Sequence, residues 1–489
     1  MQDAILILDH DEALAGLIAR TLRSQQIYCE PVPFGIPLAR AMALAPRGLI
    51  IAAAQGVAVP LSGMDKALLS AGLPVLALGG AAAALCEHLG GKAERKQCEQ
   101  CEHDSVTLEL GEQPLLAGIA SGERVLHGLY GLTLPEGAEC IATATQRCIG
   151  FTDEAKNLYA IQYPIERNDP DAVQLLQNFA VNVCGVEPLW TTEYIIQKAI
   201  WDLREVAGEG RVLVAVSGGV DSAVCAKLAR MAVGDRLMCV FVDTGLFRAD
   251  EAETVIHTYM ETLGLVVAYA DASESFLKAL RGVRAPQDKE RIVSALLAQV
   301  LYKQLRYDTG AHTLVLGTNL NDALYGDFVP DTPPPQAEGD EPVRIAEPLR
   351  GLFKDEVRRL ARALALPATL AERQPFPASG LALRILGEVT RERLTMLRQA
   401  DAFFSEEVRA TGHERRLWQY YATMCENPDQ HGGYAVILRA CQACSGESCA
   451  SRLPYDLLER VTARIMVEEK QITRVVYDLT PSAQYALVE

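Results

Sequence analysis

The chain has 489 residues, of which 49% are hydrophobic and 22% are charged, and its formal net charge is −17. This length exceeds what one hydrophobic core usually serves, so we expect two or three domains. The composition is that of a globular protein, and acidic residues stand near the N-terminus where a signal peptide would be basic. We therefore predict a cytoplasmic protein with no membrane association. The negative charge argues against general nucleic-acid binding, which needs clustered Lys and Arg.

Short apolar runs alternate with helical stretches over the first part of the chain. The predicted strands are Ala4–Leu8, a run that ends before Phe34, Gly48–Ala53 and Leu73–Leu78. This alternation is typical of a parallel sheet covered by helices, so we assign residues 1–187 to an α/β domain. The amphipathic stretch Trp190–Ala207 is predicted to be a connecting helix.

A second α/β domain is predicted for residues 190–372 and a smaller α+β domain for residues 373–489. The strands of these two domains are predicted at Val212–Val216, Leu237–Val242, Val266–Tyr269, Thr313–Leu316, Ala435–Arg439 and Arg474–Asp478. The segment Asp327–Pro342 is rich in Pro and acidic residues, which predicts a flexible loop.

The segment Ser217–Ser222 has the sequence Ser-Gly-Gly-Val-Asp-Ser and stands between a predicted strand and the predicted helix Ala223–Met231. Gly218 and Gly219 let the main chain approach an anion without an obstructing Cβ atom. N–H groups of such a turn and of the following helix N-terminus bind phosphate, helped by the helix dipole. The segment is therefore predicted to be a phosphate-binding loop.

Three side chains of this loop extend the prediction. The hydroxyl groups of Ser217 and Ser222 add donors, and Asp221 is placed to hold Mg²⁺ against a pyrophosphate. The loop has no Gly-Lys-Ser/Thr sequence, so it is not a Walker loop.

The loop resembles that of the N-type ATP pyrophosphatases, and the whole chain resembles the GMP synthetase family. The matching stretches in the larger, C-terminal part are Cys239–Arg248, Asp271–Val283, Gly317-Thr318 with Asp322, Glu347–Val357, Arg373–Thr390, Arg452–Arg460 and Arg474–Asp478. The stretches that resemble the class I glutamine amidotransferase domain of the family are Ile27–Phe34, Leu134–Gly137 and Tyr159–Gln162.

This resemblance implies an α/β fold of three parts: a flavodoxin-like amidotransferase domain, an adenine-nucleotide α-hydrolase-like ATP pyrophosphatase domain and a small α+β dimerisation domain. It also implies a homodimer. In the family, the first domain hydrolyses glutamine and passes ammonia to the second. There, ATP adenylates the C2 oxygen of XMP with loss of pyrophosphate, and ammonia displaces AMP to give GMP.

The resemblance also implies roles for individual residues. The implied catalytic residues are Asp221, Lys354 and Asp322; the implied ATP-binding residues are Ser217, Gly218, Gly219, Val220, Asp221, Ser222, Val242, Asp243 and Gly317; and the implied substrate residues are Arg248, Arg284, Pro377, Ser379 and Gly380. The implied cofactors are ATP and Mg²⁺, with Asp221 as the magnesium ligand.

The glutaminase part of the family pattern is missing from this chain. The stretch that matches the cysteine elbow has Gly79 at the position of the nucleophile, and Pro164-Ile165-Glu166 replaces His-Pro-Glu. The oxyanion loop Gly-Gly-Pro is replaced by Ala53-Ala54-Gln55. Glutamine hydrolysis needs the nucleophile and its base, so we predict that this activity is absent. Cys86 is a substitute nucleophile by position, but core packing is the favoured interpretation.

The acceptor side also departs from the family pattern. The Pro-rich segment Asp327–Pro342 stands in place of the family lid, and Pro377–Gly380 replaces Pro-Gly-Pro-Gly. The family C-terminal Lys-Pro-Pro-Ala-Thr-Ile-Glu corresponds to Ser482–Val488, which carries no charge. Each lost charged contact costs affinity, so the retained ATP loop favours a changed acceptor or a silent enzyme over ordinary GMP synthesis.

Two cysteine clusters have no counterpart in the family. Of the 13 cysteines, Cys98 and Cys101 form one cluster near His103, and Cys441, Cys444 and Cys449 form the other. Each Cys-x-x-Cys has the spacing of half a zinc or iron–sulfur site, whereas unrelated reduced thiols would give the same pattern. Sulfur-inserting ATP pyrophosphatases also use cysteine pairs near the adenylated carbonyl.

Three functions remain open from the sequence. The first is an ATP-dependent ligase that adenylates a purine-like acceptor, XMP or a related compound, and uses ammonia or an amine as nucleophile. The second is a sulfur-inserting enzyme that uses the cluster Cys441, Cys444 and Cys449. The third is a catalytically silent paralogue that binds ATP and regulates a partner.

Overall fold

The structure is a computed structural model that describes residues 4–54, 56–57, 61–95, 104–126, 128–308, 311–325, 343–371, 373–374, 376, 379–427, 433–444 and 447–480. The predicted loop Asp327–Pro342 lies outside these residues. The chain divides into two compact units, Met1–Tyr194 and Ile195–Glu489. No helix in the described ranges is long and apolar enough to cross a membrane.

The first unit is built on a mixed sheet with two kinds of strand pairing. Its strands are β1 (Ala4–Asp9), β2 (Cys29–Pro33), β3 (Pro46–Ala53), β4 (Val75–Gly79), β5 (Lys92–Arg95), β6 (Asp104–Leu110), β7 (Gly122–Leu126), β8 (Tyr130–Thr133), β9 (Glu139–Ala144), β10 (Arg147–Asp153) and β11 (Leu158–Ile161). Its helices are α1 (Glu12–Ser24), α2 (Leu38–Ala43), α3 (Gly80–His88) and α4 (Pro170–Asn178).

Within the described part of this unit, nine strands form one sheet in the order β2-β1-β3-β4-β11-β10-β9-β6-β7. The strands from β2 to β11 are parallel, as the sequence predicts, and those from β10 to β7 are antiparallel. Strands β1, β3 and β4 are almost wholly buried. They therefore appear in the sequence as unbroken apolar runs.

The helix α5 (Thr192–Ala207) leads into the second unit, close to the predicted Trp190–Ala207. The strands of that unit are β12 (Val212–Ala215), β13 (Leu237–Asp243), β14 (Val267–Asp271), β15 (Thr313–Val315), β16 (Arg344–Ala346), β17 (Ile385–Leu386), β18 (Gln419–Glu426), β19 (Tyr434–Cys444), β20 (Glu447–Ala450) and β21 (Ile472–Tyr477). The helices are α6 (Val220–Val233), α7 (Glu251–His257), α8 (Ser273–Ala279), α9 (Pro286–Lys303), α10 (Leu320–Tyr325), α11 (Lys354–Ala363), α12 (Ala368–Ala371), α13 (Arg391–Ala410) and α14 (Tyr455–Glu468).

Two sheets organise the second unit. In the described residues, a parallel sheet has the order β14-β13-β12-β15-β16. This order reverses between β12 and β15, and open parallel sheets bind ligands at the carboxyl ends of the strands that flank such a reversal. The predicted phosphate loop follows β12, so it lies at the reversal.

The other sheet of this unit is mixed. Strand β19 pairs antiparallel with β18 and β20 and parallel with β21. One hydrophobic cluster contains Leu213 and Val240 of the parallel sheet together with Val436 and Leu457 of the C-terminal part. The α/β class is thereby confirmed, while the boundary at 372/373 stays a prediction because both parts contribute to this one core.

Candidate functional site

The loop between β12 and α6 is held by its own serine side chains. The hydroxyl of Ser222 accepts a hydrogen bond from the Ser217 N–H at 3.2 Å and donates to the Gly219 carbonyl at 3.0 Å. It also lies 3.1 Å from the hydroxyl of Tyr259, which is fully buried. Val220 is the first residue of α6 and is buried. Ser222 therefore closes the turn, and the N-terminus of a 14-residue helix follows it directly.

Gly218 occupies a position that only glycine can fill. Its φ is +80°, and an added Cβ would lie less than 3.0 Å from both Val255 and Arg373. The carbonyl oxygen of Gly218 accepts a hydrogen bond from Nη1 of Arg373 at 2.6 Å. Both the backbone conformation and the packing therefore require the absence of a side chain here.

A lysine and two carboxylates converge beside the loop. Nζ of Lys354 lies 2.5 Å from Oδ2 of Asp221. The other oxygen, Oδ1, is buried and accepts no hydrogen bond from the described residues. Burial raises the pKa of Asp322, the charge of Asp221 raises it further, and a backbone N–H of Asn319 and the charge of Lys354 lower it.

The residues after β15 complete this corner. An added Cβ at Gly317 would lie 3.2 Å from both the Cβ of Asp221 and the N atom of Ser222. The segment after β15 therefore packs directly on the phosphate loop. Asp322 and Asn319 cap each other, since the Asn319 N–H donates to Asp322 at 3.1 Å and the Asp322 N–H donates to Asn319 at 3.2 Å.

The carboxylates fit a magnesium ion. Mg²⁺ in nucleotide sites is bound by one or two carboxylates together with substrate phosphates. Oδ1 of Asp221 is a buried acceptor without a donor, and the carboxyl of Asp322 is close enough for its pKa to respond to the Asp221 charge. Oδ1 of Asp221 is the acceptor that a bound cation would satisfy.

The loop after β13 borders a cavity of about 690 Å³. Asp243 lies at its edge, where Oδ1 accepts from the Gly245 N–H at 2.8 Å and Oδ2 accepts from the Tyr269 hydroxyl at 2.7 Å. Val242 precedes it and is buried. Arg398 donates to the Gly245 carbonyl at 2.5 Å. The carboxylate of Asp243 and the guanidinium of Arg398 therefore both stabilise the conformation of this loop.

The predicted substrate residues have different surroundings. Arg248 lines the same cavity, lies 3.0 Å from a carboxylate oxygen of Asp401, and is stacked on Phe376 at 5.0 Å. Arg248 therefore shares this buried acid with Arg384, which lies 3.3 Å from the other carboxylate oxygen. Arg284 is exposed and pairs at 3.1 Å with Glu426, a residue that is not part of the predicted site.

Ser379 and Gly380 lie against the loop that precedes Arg248. Ser379 is buried, and Gly380 has φ +58°. An added Cβ at Gly380 would come within 3.0 Å of the Leu246 carbonyl oxygen, which also accepts a hydrogen bond from the Leu381 N–H at 2.8 Å. Pro377 lies outside the described residues.

The first unit contains a closed turn at the position predicted for the missing nucleophile. Gly79 ends β4 and precedes α3 with φ +60° and ψ −128°. An added Cβ at Gly79 would lie less than 3.0 Å from the carbonyl oxygen of Ala53, and one at Gly80 would lie equally close to that of Val57. The residues that replace the oxyanion loop therefore fill the space that a nucleophile would need.

Cys86 has the environment of a core thiol. It is fully buried on α3, and its thiol contacts the Thr133 carbonyl oxygen at 3.5 Å. Burial raises the pKa of this thiol to about 11, so it is not a thiolate at neutral pH.

The C-terminal cysteines are divided between the two faces of a sheet. Cys441 lies opposite Ala450 and Cys449 opposite Gln442 in the β19–β20 pair. Residues directly opposite share a face and neighbours alternate, so Cys441 and Cys449 project from opposite faces and cannot bind one ion together. The side chain of Cys444 is outside the description, as are Cys98, Cys101 and His103.

The described residues consequently give no support for the zinc or iron–sulfur option. Within them, no group of three or more His, Cys, Asp or Glu side chains is arranged to hold a metal ion. The register of β19 and β20 explains this for two of the three C-terminal cysteines.

Comparison with known proteins places the chain in a family. It is 34% identical over 508 residues to the glutamine-hydrolysing GMP synthase of Carboxydothermus hydrogenoformans, with 98% of each chain covered. The chain belongs to the GMP synthase family. It is also 34% identical to the corresponding enzyme of Symbiobacterium thermophilum, with 98% of this chain and 97% of the relative covered, and 35% identical to that of a Parafrankia species, with 98% and 95% covered.

Family models match the second unit of this GMP synthase family member. The NAD synthase model matches residues 195–383, and the GMP synthase C terminal domain model matches residues 406–487. A solved GMP synthase component from Thermoplasma acidophilum covers 40% of this chain and 98% of its own, at 17% identity and a TM-score of 0.32, which is too weak a similarity to bear on the fold. The predicted family is thus confirmed by the sequence relatives.

Two residues next to the loop were not identified from the sequence. Arg373 lies in a stretch that matches the family, but its contact with Gly218 spans 155 positions along the chain. Glu251, which pairs with Arg373, stands in an ordinary acidic helix start. Neither residue type signals such a contact, so only the fold shows it.

Proposed function

We propose that this chain is an ATP-dependent, AMP-forming ligase of the GMP synthase type that does not hydrolyse glutamine. It adenylates a carbonyl oxygen of a purine-like acceptor, XMP or a related compound, and uses ammonia or an amine as nucleophile. The observation that carries the proposal is the loop Ser217–Ser222 at the strand-order reversal, with Lys354 paired to Asp221 beside it.

The chemistry is a two-step substitution. The acceptor carbonyl oxygen attacks the α-phosphorus of ATP, and pyrophosphate leaves with the electron pair of the α–β bridge. Ammonia then adds to the carbon that carries the adenylate, and AMP leaves as that carbon–oxygen bond breaks and a proton is lost. The amide N–H groups of the turn and of α6 bind the phosphates. Charge on the departing pyrophosphate is the main quantity that the site has to stabilise.

Lys354 and Asp221 have different roles in stabilising the charge on the phosphates. Lys354 lies at the start of α11, where its ammonium group balances Asp221 in the described structure. We propose that Lys354 stabilises the departing phosphates while Asp221 and Asp322 hold Mg²⁺. A magnesium ion held by these two carboxylates would neutralise part of the charge on the phosphates.

The closed elbow supports the absence of glutaminase activity. The relatives are described as glutamine-hydrolysing. Here, Gly79 offers no thiol, Pro164 offers no base, and the Ala53 carbonyl occupies the space of a nucleophile side chain. We therefore propose that nitrogen reaches this chain as free ammonia or an amine, or from another protein.

The two other functions have less support. A sulfur-inserting reaction would need accessible thiols near the loop, whereas Cys441 is 1% exposed and hydrogen-bonded to Nε of Arg439 at 3.3 Å. A silent paralogue would not need the buried, unpartnered Oδ1 of Asp221, which costs stability unless a ligand uses it.

The homodimer remains part of the proposal. Helix α14 exposes Tyr455, Met466 and Val467, which are 80%, 42% and 62% accessible. This helix lies within residues 406–487, which match the GMP synthase C terminal domain model, and the resemblance assigns dimerisation to that domain. Sedimentation of the purified chain tests this: a single species at the monomer mass across the micromolar range would contradict it.

One assay tests the central proposal. ATP–pyrophosphate exchange is measured with XMP, related nucleotides and bases as acceptors, followed by AMP formation with ammonium, glutamine or sulfide. We expect acceptor-dependent exchange and ammonium-dependent AMP formation. Turnover with glutamine and release of glutamate would contradict the missing glutaminase, and ATP binding without exchange for any acceptor would favour the silent paralogue. Sulfide-dependent turnover lost on changing Cys449 would favour the sulfur reaction.

A further inference from the structure

We propose that Arg373 and Glu251 form a positioning pair that fixes the Gly218–Gly219 peptide in the orientation needed to bind phosphate. This inference rests on the proposed ATP site and adds two residues from outside the loop to it. Arg373 is assigned as a positioning residue, not as a phosphate ligand.

Within the described loop, one long hydrogen bond, from the Gly219 N–H to the Ser217 hydroxyl at 3.4 Å, holds this peptide. The Gly218–Gly219 peptide is flanked by two residues without side chains, and glycine moves between backbone conformations at little cost. In a trans peptide the C=O of Gly218 and the N–H of Gly219 point in opposite directions. Whatever holds the carbonyl therefore also sets the direction of the N–H.

Arg373 holds that carbonyl. Nη1 of Arg373 donates to the Gly218 oxygen at 2.6 Å. The Gly219 N–H consequently points the other way, where it donates a long hydrogen bond of 3.4 Å to the hydroxyl of Ser217. Rotation of the peptide would exchange an N–H donor for a carbonyl oxygen and would turn a negative dipole toward the phosphate.

Glu251 fixes the position of Arg373. It is the first residue of α7, is only 7% exposed, and forms an ion pair with Nη2 of Arg373. Its Oε2 accepts a hydrogen bond from the Arg248 N–H at 2.8 Å. Val255 of the same helix packs on Gly218. Helix α7 therefore supports the loop through one ion pair and one apolar contact.

The pairing explains why Arg373 acts by positioning. One Nη group is used by Gly218 and the other by Glu251, so the guanidinium presents a neutralised charge to the loop. Burial and, to a smaller extent, the nearby charge of Arg248 lower the pKa of Arg373 to about 10, so the group stays protonated at neutral pH. Both contacts of the pair therefore persist under assay conditions.

The expected signature is a weaker affinity for ATP with little change in chemistry. When only a fraction of molecules has the competent loop, the apparent dissociation constant rises by the inverse of that fraction. Loss of a charge-assisted hydrogen bond is expected to raise the KM for ATP by about tenfold to a hundredfold, at about 1.4 kcal/mol per factor of ten. We expect kcat to change by less than about threefold, because the loop is correctly formed once ATP is bound.

The chain offers a matched control in Arg393. Its Nη1 donates to the Glu388 carbonyl at 2.9 Å and its Nη2 pairs with Glu426 at 2.7 Å, the same combination of a carbonyl and a carboxylate. It makes no described contact with the phosphate loop. Arg393→Gln therefore reports what the loss of such an arginine does to the fold alone.

The test compares full-length wild type, Arg373→Gln, Arg373→Lys, Glu251→Gln, the double variant and Arg393→Gln. ATP–pyrophosphate exchange gives KM and kcat, thermal unfolding gives the stability change, and hydrogen exchange of residues 217–222 without ATP reports the loop directly. We expect a raised KM and faster loop exchange in both Arg373 variants, with the smaller effect in Arg373→Lys. In the double variant, Glu251→Gln should change the KM and the loop exchange little beyond the effect of the Arg373 substitution.

Two outcomes would overturn the inference. One is a wild-type KM and wild-type loop exchange in Arg373→Gln; the other is an equal change of both in Arg393→Gln. If wild type shows neither ATP binding nor exchange, the proposed function fails, and the hydrogen exchange of the loop still decides whether Arg373 and Glu251 order it. If Arg373→Gln does not fold, Arg373→Lys and Glu251→Gln carry the same comparison.

Discussion

A direct prediction concerns the closed elbow at Gly79. Gly79→Ala introduces a Cβ that meets the Ala53 carbonyl, in a backbone conformation with φ +60° and ψ −128°. Strained backbone conformations cost a non-glycine residue about 1–3 kcal/mol, and overpacking adds about 1–3 kcal/mol. We therefore expect a loss of about 2–6 kcal/mol, the sum of these two contributions.

Gly72→Ala is the matched control. Gly72 also has a positive φ, +78°, but nothing lies within 4 Å of an added Cβ. Its substitution is expected to cost only the left-handed backbone conformation, about 1–2 kcal/mol. The difference between the two variants reports the contact with Ala53 together with the more strained backbone conformation of Gly79.

Thermal and urea unfolding, followed by circular dichroism and tryptophan fluorescence, measure this difference. Of the three tryptophans, Trp190 is buried against Tyr28 at 4.5 Å and reports on the first unit, whereas Trp201 and Trp418 belong to the second and are replaced by Phe in the background used for fluorescence. For a unit of this size, each 1 kcal/mol corresponds to about 2–4 °C in Tm. Equal Tm values for Gly79→Ala and Gly72→Ala would refute the reasoning, as would glutamate release by Gly79→Cys, in which Pro164 still stands where the base would be.

Three further predictions follow from the second unit. Lys354→Met leaves Asp221 without its cation, so kcat for ATP–pyrophosphate exchange should fall by about a hundredfold or more, whereas an unchanged kcat would exclude a role for Lys354. Burial lowers the pKa of Lys289 from 10.5 to about 8. Between these two pH values the unfolded chain binds more protons than the folded chain, so the stability of the fold should rise with pH across that window. The variant Lys289→Met should lose this rise, and parallel curves of Tm against pH for the two proteins would contradict the prediction. Cys441→Ala with Cys449→Ser should leave zinc and iron contents unchanged by metal analysis, and a stoichiometric loss of metal would restore the cluster as a site.

The strands and the strand–turn–helix conformation around Ser217–Ser222 could be predicted because their signals are local. Runs such as Val212–Ala215 are buried on both sides and are therefore continuously apolar in sequence. The loop itself carries its information within six residues, Ser217–Ser222. Predicted ends agree with the observed ones to within a few residues, as for Gly48–Ala53 within β3.

Other features depend on distant residues and could not be predicted. The contact of Arg373 with Gly218 and the closure of Gly79 by Ala53 both join parts of the chain that no periodicity connects. The pairing of Cys441 with Cys449 could not be judged from spacing for a different reason. Spacing along the chain suggested shared ligands, but the alternation of a β-strand sends Cys441 and Cys449 to opposite faces.

The hydrophobic core of the second unit limits how this part of the protein can be divided or exchanged. One hydrophobic cluster contains Leu213 and Val240 together with Val436 and Leu457. In addition, the Leu246 carbonyl accepts a hydrogen bond from the Leu381 N–H, which lies on the other side of the predicted boundary at 372/373. A fragment that ended at residue 372 would expose one side of that core to water. Residues 195–372 are therefore not expected to fold as a separate module. Recombination, fusion or partial duplication would have to carry residues 195–480 together.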